Sequence, residues 1–367
     1  MACRMIWQDL YAVEQSALTL SAVVTAAPGF VRGTNIGVMG TGASAVGVFT
    51  LLLTEHPDFK VPVSTVENAL TTGKPIRNVV EYNMVIAQPA TVTLNMLANA
   101  YNTSYFANLL FQSGATEASG ATNNTLNILT CIPYTTSDVS TWGIIAKAMS
   151  DNTDAIDQVL KGAVCRQLTL SGDQGGVVSL AAEMVAAKWN QEDISTKLAT
   201  LKTYFDDTPP LRWQDATVKI NSISVMAEAF SVTIAAEPLV AYYNNDAATN
   251  VCLGRLTATG SITTPWGEPT AQGKNQQIVD FIAGVDKTIE VYWGTSNTCD
   301  SLTPKGGGTD TKNYLSIMMN ARVTDYTVAG DAEITIESQF TATEDSTATY
   351  NTIKLLCGYN KLLLKRK

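Results

Sequence analysis

From Cys165 to Ala187 apolar and polar residues take turns. Leu168 and Leu170 oppose Thr169 and Ser171; after Gly172-Asp173-Gln174-Gly175-Gly176 the pattern resumes with Val178, Leu180, Ala182 and Met184. A period of two sends successive side chains to opposite faces of a strand, and a helix cannot keep that pattern on one face. The Gly-rich break supplies the backbone freedom that a tight reversal needs. The segment predicts a long β-hairpin with one buried face.

The same rule finds further strands. Val80, Tyr82, Met84 and Ile86 alternate with their neighbours, and Thr91–Met96 alternates after Pro89. Val218 with Ile220, Phe230 with Val232 and Ile234, and Glu290 with Tyr292 and Trp293 mark three more. A second hairpin spans Arg322–Thr341 and turns at Gly330-Asp331. Its return strand is expected to bury Ile334, Ile336 and Phe340, leaving Glu333, Thr335, Glu337, Gln339 and Thr341 on the other face. The two hairpins echo each other, either because each half supplies one sheet of a packed pair or by chance likeness. β-branched and aromatic residues dominate these runs, as half-buried strands favour.

Elsewhere the spacing differs. Asn102 is placed to cap a short helix over Ser104–Gln112, closed by Gly114, followed by an exposed loop over 113–125 and a strand over Leu126–Pro133. Trp142–Met149 and Ala155–Leu160 have partly helical spacing, and a charged or amphipathic connector runs to Pro209-Pro210. Trp7–Leu20 reads as a short helix or strand. The expected organisation is an N-terminal segment or arm over 1–60, a β domain over 61–345 and a tail over 346–367. Ile36–Leu53 carries no charge, but its four glycines read as buried strand and loop rather than a membrane span.

Charged residues make up only 16% of the chain and apolar ones 46%, whereas ordinary domains carry roughly 25% charged residues. The chain has core enough for a large domain and little charge for its surface, as expected if other subunits cover part of it. The net charge of −9 argues against sequence-specific nucleic-acid binding, because an acidic protein gains no counterion-release affinity. Six cysteines, none in a CxxC pair, read as reduced thiols rather than a zinc site or a disulfide framework. No signal peptide is visible, which points to synthesis in a cytoplasm.

The search for reactive chemistry returns little. His56 is the single histidine, so any Ser-His-Asp triad must use it, and no G-x-S-x-G elbow supplies a serine. Gly37-Val38-Met39-Gly40-Thr41-Gly42 lacks the Gly-Lys-Ser/Thr ending of a phosphate loop, and Gly306-Gly307-Gly308 reads as a loop. Asp151, Asn152 and Asp154 lack the alternation and distal glutamate of a calcium loop. No catalytic residue, cofactor site or metal site is expected.

Gly162-Ala163-Val164-Cys165-Arg166-Gln167, running into the first hairpin, resembles a segment of bacteriophage tail tube proteins. Pro210-Leu211-Arg212-Trp213-Gln214-Asp215-Ala216, then Phe230-Ser231-Val232-Thr233-Ile234, and a late hairpin ending in Phe340-Thr341-Ala342 are similar to the same family. The resemblance covers roughly residues 64–345 and rests on strand and turn patterns. It implies a β-sandwich or partly closed β-barrel with a flanking short helix. Six copies would form a ring, their inner sheets joining into an oligomeric β-barrel tube. Stacked rings would pass viral DNA non-specifically during ejection. Implied partners are further copies of the chain and other tail proteins: tape measure, terminator, baseplate and sheath. The implied location is the virion tail, with no membrane. Another virion or injection-tube component, such as a baseplate hub or secretion-type tube, or a capsid-type protein, fits the same patterns. Glu183, Glu333 and Glu337 are the candidate lumen-facing carboxylates, and exposure on the outer surface suits them equally.

Overall fold

The computed structural model describes residues 8–15, 47–51, 53–55, 57, 59, 64–69, 81–86, 89–118, 127–134, 136–139, 141–149, 157–192, 202–206, 209–242, 250–267, 269–270, 273–274, 276–293, 314–330, 333–344, 353–359 and 364–366. The first strands are β1 (Gln8–Gln15), β2 (Gly47–Leu51), β3 (Ser64–Ala69), β4 (Glu81–Ile86) and β5 (Ala90–Leu97), followed by helix α1 (Ala100–Phe111). Then come β6 (Ala115–Ala118), β7 (Asn127–Cys131), β8 (Trp142–Met149), β9 (Asp157–Asp173), β10 (Ser179–Glu192), β11 (Lys202–Asp206), β12 (Ala216–Ile220), β13 (Ile223–Val225) and β14 (Ala229–Ala235). The remainder is β15 (Pro238–Ala241), β16 (Asn250–Leu253), β17 (Thr257–Pro265), β18 (Pro269–Thr270), β19 (Gly273–Lys274), helix α2 (Gln276–Ala283), β20 (Asp286–Trp293), β21 (Tyr314–Ala329), β22 (Thr335–Ala342), β23 (Ile353–Tyr359) and β24 (Leu364–Arg366). The protein is mainly β, and among the described residues every strand pairing is antiparallel except β2 with β11.

Two long strands organise the molecule. β9 keeps β10 on one side throughout, while its other side pairs first with β8 and then with β14. β21 pairs with β23 at Tyr314–Met319 and with β22 from Ala321, and β20 lies on its opposite side as far as Arg322. One run of neighbours is therefore β5-β10-β9-β14-β17-β22-β21. A second is β13-β12-β20-β21-β23-β7-β6. Both runs turn one side to a common core. Leu168, Leu170, Phe230, Val232 and Ile234 come from the first, and Val291, Leu315, Ile317, Leu355 and Cys357 from the second. Trp213, Phe230 and Trp293 form an aromatic centre with ring separations of 6.2–6.5 Å. Gly172 leaves room for it, since an added Cβ there would lie 3.0 Å from the Trp213 ring.

Helix α1 contacts β9, β23 and β7 and is buried along all 12 residues. It starts at Ala100, two residues before Asn102, the expected cap. Asn99 is the N-cap, and Asn102 sits at the third helical position. The Asn99 side chain accepts from the Asn102 N–H at 2.8 Å, and the Asn102 side chain accepts from the Asn99 N–H at 2.9 Å. This is the reciprocal capping box, made here with asparagine at both ends. The expected loop after the helix is in part a strand, because β6 pairs with β7.

The partly helical spacing at Trp142–Met149 and before Leu160 belongs to strands β8 and β9. From Val159 to Cys165 every residue of β9 is buried, so polar alternation disappears and the run loses its strand signature. The β15–β16 hairpin provides part of that cover. Val251 and Leu253 pack with Val164, Val185 and Val139, and the Tyr242 hydroxyl donates to the Ala187 carbonyl at 2.7 Å. Ile334, expected to be buried, is 44% exposed, because it lies one residue before β22, beyond the end of the core. The expected tail over 346–367 includes β23, buried between β21 and β7. In the expected N-terminal segment, β1 is a strand paired with β8 and β2. Both echoing hairpins lie in the first run, joined by β14 and β17, rather than each supplying a separate sheet.

A hydroxyl-covered sheet face as the candidate functional site

Along the stretch of the first run level with Gln167–Asp173 of β9, alternate residues lie in the core and the others face out. The antiparallel registers line up the outward residues in rows. Ser179, Ser171, Ser231, Ser261, Gln339 and Asp325 form one row across six strands. The next row is Asn95, Ala181, Thr169, Thr233, Thr259, Thr341 and Arg322. A third holds Thr93, Glu183, Gln167, Ala235 and Thr257, and a fourth, at the other end of the strands, Asp173, Ala229, Thr263, Glu337 and Thr327. With strands about 4.8 Å apart, the rows extend roughly 20–30 Å across the sheet.

Neighbouring hydroxyls in these rows bond to one another. Ser171 Oγ lies 2.7 Å from Ser179 Oγ, and Thr169 Oγ1 lies 3.0 Å from Thr233 Oγ1. Such cross-strand hydroxyl pairs fix short side chains flat against the sheet. The four rows contain no aromatic ring and no lysine.

The three candidate carboxylates fall as follows. Glu183 and Glu337 project from the same face, at opposite ends of the strands and four strand steps apart. Glu333 is exposed just before β22. Glu183 is ion-paired. Arg166 donates to its Oε2 from Nε at 2.8 Å and from Nη2 at 2.6 Å. Arg166 reaches it because the β9–β10 register shifts between Glu183 and Met184. Arg322 is likewise paired with Asp286 at 2.6 Å, and that bond holds its guanidinium above the ordinary range. Asp173, Asp325 and Glu337 have no ion-pair partner among the described residues, which leaves the face acidic.

The hydroxyl rows were only partly visible in the sequence. Thr169, Ser171, Ser231 and Thr233 alternate clearly with buried residues. β17 was not anticipated, because Gly260 replaces a large side chain in the middle of its buried set. Its outward Thr257, Thr259, Ser261 and Thr263 were the available signal. His56, Gly37–Gly42, Asp151 to Asp154 and Gly306–Gly308 lie outside the described residues. Among the described residues no three His, Cys, Asp or Glu side chains gather to hold a metal ion, and no helix is long and apolar enough to cross a membrane. Comparison with protein-family models gives no match, and comparison with curated proteins gives none either.

Proposed function

We propose that this chain is a structural subunit of a bacteriophage tail tube. In this reading the two strand runs are the layers of a β-sandwich, and the hydroxyl-covered run is the inner layer. Copies join into rings, six to a ring as the family resemblance implies. The rings stack, and viral DNA passes along the lumen during ejection. Tape measure, terminator, baseplate and sheath proteins are its partners in the virion tail.

The observation that carries the reading is the hydroxyl face with its acidic balance. A surface that passes DNA without holding it has to avoid two attractions. It needs no excess of cations, because phosphate contacts dominate nucleic-acid affinity. It also needs no exposed aromatic platform, because bases stack on such rings. The four rows meet both conditions, and unpaired carboxylates add repulsion toward phosphate. The ends of the run add support. Among the described residues, β21 has no strand beyond Arg322 on the side away from β22, and β5 meets only Leu53, Thr54 and Glu55 on its outer side. Joining such edges between copies satisfies their backbone groups.

Negative-stain electron microscopy of the purified protein, with light-scattering mass, tests the reading. Rings or hollow tubes with a central channel are expected. A strictly monomeric particle at every concentration would overturn it.

A further inference from the structure

Eleven large hydrophobic side chains are exposed among the described residues, and their placement is uneven. Leu97, Val177, Met226, Trp266, Val328 and Ile334 all lie where the strands of the hydroxyl-covered run finish, at the end marked by the β9–β10 turn. Val279, Ile282 and Val285 lie on α2 and just beyond it. That helix is fixed beside the same end of β21 by the Phe281–Tyr326 ring contact at 5.3 Å. Trp266 and Ile334 are adjacent, since the Trp266 N–H donates to the Ile334 carbonyl at 2.8 Å. Ile282 is 76% exposed, the most of any. Exposed apolar residues gathered this way mark a surface that another protein covers.

One occupant suits the shape and charge of this strip. The patch is a strip across the ends of side-by-side strands, so its natural counterpart is the opposite end of an equivalent sheet. Asp173, Glu228, Glu333 and Glu337 flank it, with no ion-pair partner among the described residues. Two such rims facing each other would oppose like charges, which disfavours a symmetric rim-to-rim pair. The other end of the strands carries Leu239, 67% exposed, on the β15–β16 hairpin that continues from β14. Arg166 and Arg255 stand at that end, each ion-paired, with Glu183 and Glu344 respectively, and Glu237 stands beside them, so it opposes the rim with less like charge than a second rim would.

We infer that the apolar rim around Trp266, Ile282 and Ile334 docks on the Leu239 end of another copy of this chain, so that copies stack head to tail. Such a contact uses two different surfaces and does not close on itself along the stacking direction, which gives an open stack. The inference rests on the tube reading and assigns its ring-to-ring surface.

The test compares wild type with Trp266→Glu, Ile282→Glu and Leu239→Glu by electron microscopy and light scattering. All three positions are largely exposed, so circular dichroism and the urea midpoint should match wild type. Wild type is expected to give stacks, and each variant single rings of unchanged diameter. Mixing Trp266→Glu with Leu239→Glu should restore two-ring stacks, since each retains one intact end. Variants that stack as far as wild type would overturn the rim assignment and leave the tube reading standing. Folded variants that lose rings altogether would place the rim in the lateral contact and equally overturn it. Wild type that never assembles would overturn the tube reading and this inference together.

Discussion

Single residues decide whether the sheets of this protein can approach one another. Gly260 lies in β17 with the Ser231 carbonyl and the Phe340 ring so close that an added Cβ would overlap both. Gly260→Ala should destabilise by about 2–3 kcal/mol, as overpacking of a tight core does. At Gly175 the space is open and φ is +78°, so Gly175→Ala should lose only about 1 kcal/mol of backbone preference. Urea midpoints of the two variants would separate packing from conformation. Cysteines offer a second check. Cys131, Cys165 and Cys357 are buried, and burial pushes the thiols of Cys165 and Cys357 well up from the ordinary 9.0. Maleimide applied to the native protein should leave these three unmodified and label the half-buried Cys252, as read by peptide mass spectrometry. The role of Gly260 was not legible in the sequence, because nothing local announces which ring will lie against a glycine.

At the scale of elements, α1 and the β15–β16 hairpin hold the long strands from two sides. Asn99→Ala and Asn102→Ala each remove one half of the capping box, and each should lower stability by about 1–2 kcal/mol. The double variant should fall short of the sum, because the two bonds form one unit. The hairpin predicts a pH effect. Tyr134 donates to the Gly254 carbonyl and Tyr242 to the Ala187 carbonyl, and burial raises both hydroxyls from 10.0 to about 12. A raised value stabilises the fold fully below pH 10 and loses that stabilisation as pH climbs through 12. Urea midpoints should therefore fall between pH 10 and 12, and fall less in the Tyr134→Phe, Tyr242→Phe double variant. The sequence showed that a helix follows β5, since Asn and Gly punctuate that stretch, but it misplaced the cap. Two asparagines three residues apart are both competent caps, and only the backbone path out of β5 selects Asn99.

At the scale of the whole molecule, the hydroxyl face is assembled from five separate stretches of chain, and its acidity is a property of the set. Glu337→Lys with Asp325→Lys would make the face cationic while changing only exposed positions. Assembled particles of that variant should retain DNA fragments in a gel-shift assay, and wild-type particles should not. Equal retention by both would count against a face that lets DNA slide. The low charge content is explained at this scale too, since the rows spend outward positions on serine and threonine where lysine and glutamate would ordinarily stand.

The sequence by itself determined the strands whose residues alternate, such as both long hairpins and β14, and which side of each faces the core, because side-chain direction follows a local period of two. It identified both long hairpins and the outward Thr169, Ser171, Ser231 and Thr233. Where both faces are buried, as at the start of β9, that period vanishes and the strand was misread. Only the tertiary structure decided which strands are neighbours, that β9 and β21 change partners midway, and that Arg166 neutralises Glu183. Those are pairings between residues far apart in the chain, and a periodic pattern fixes a face without choosing the strand beside it.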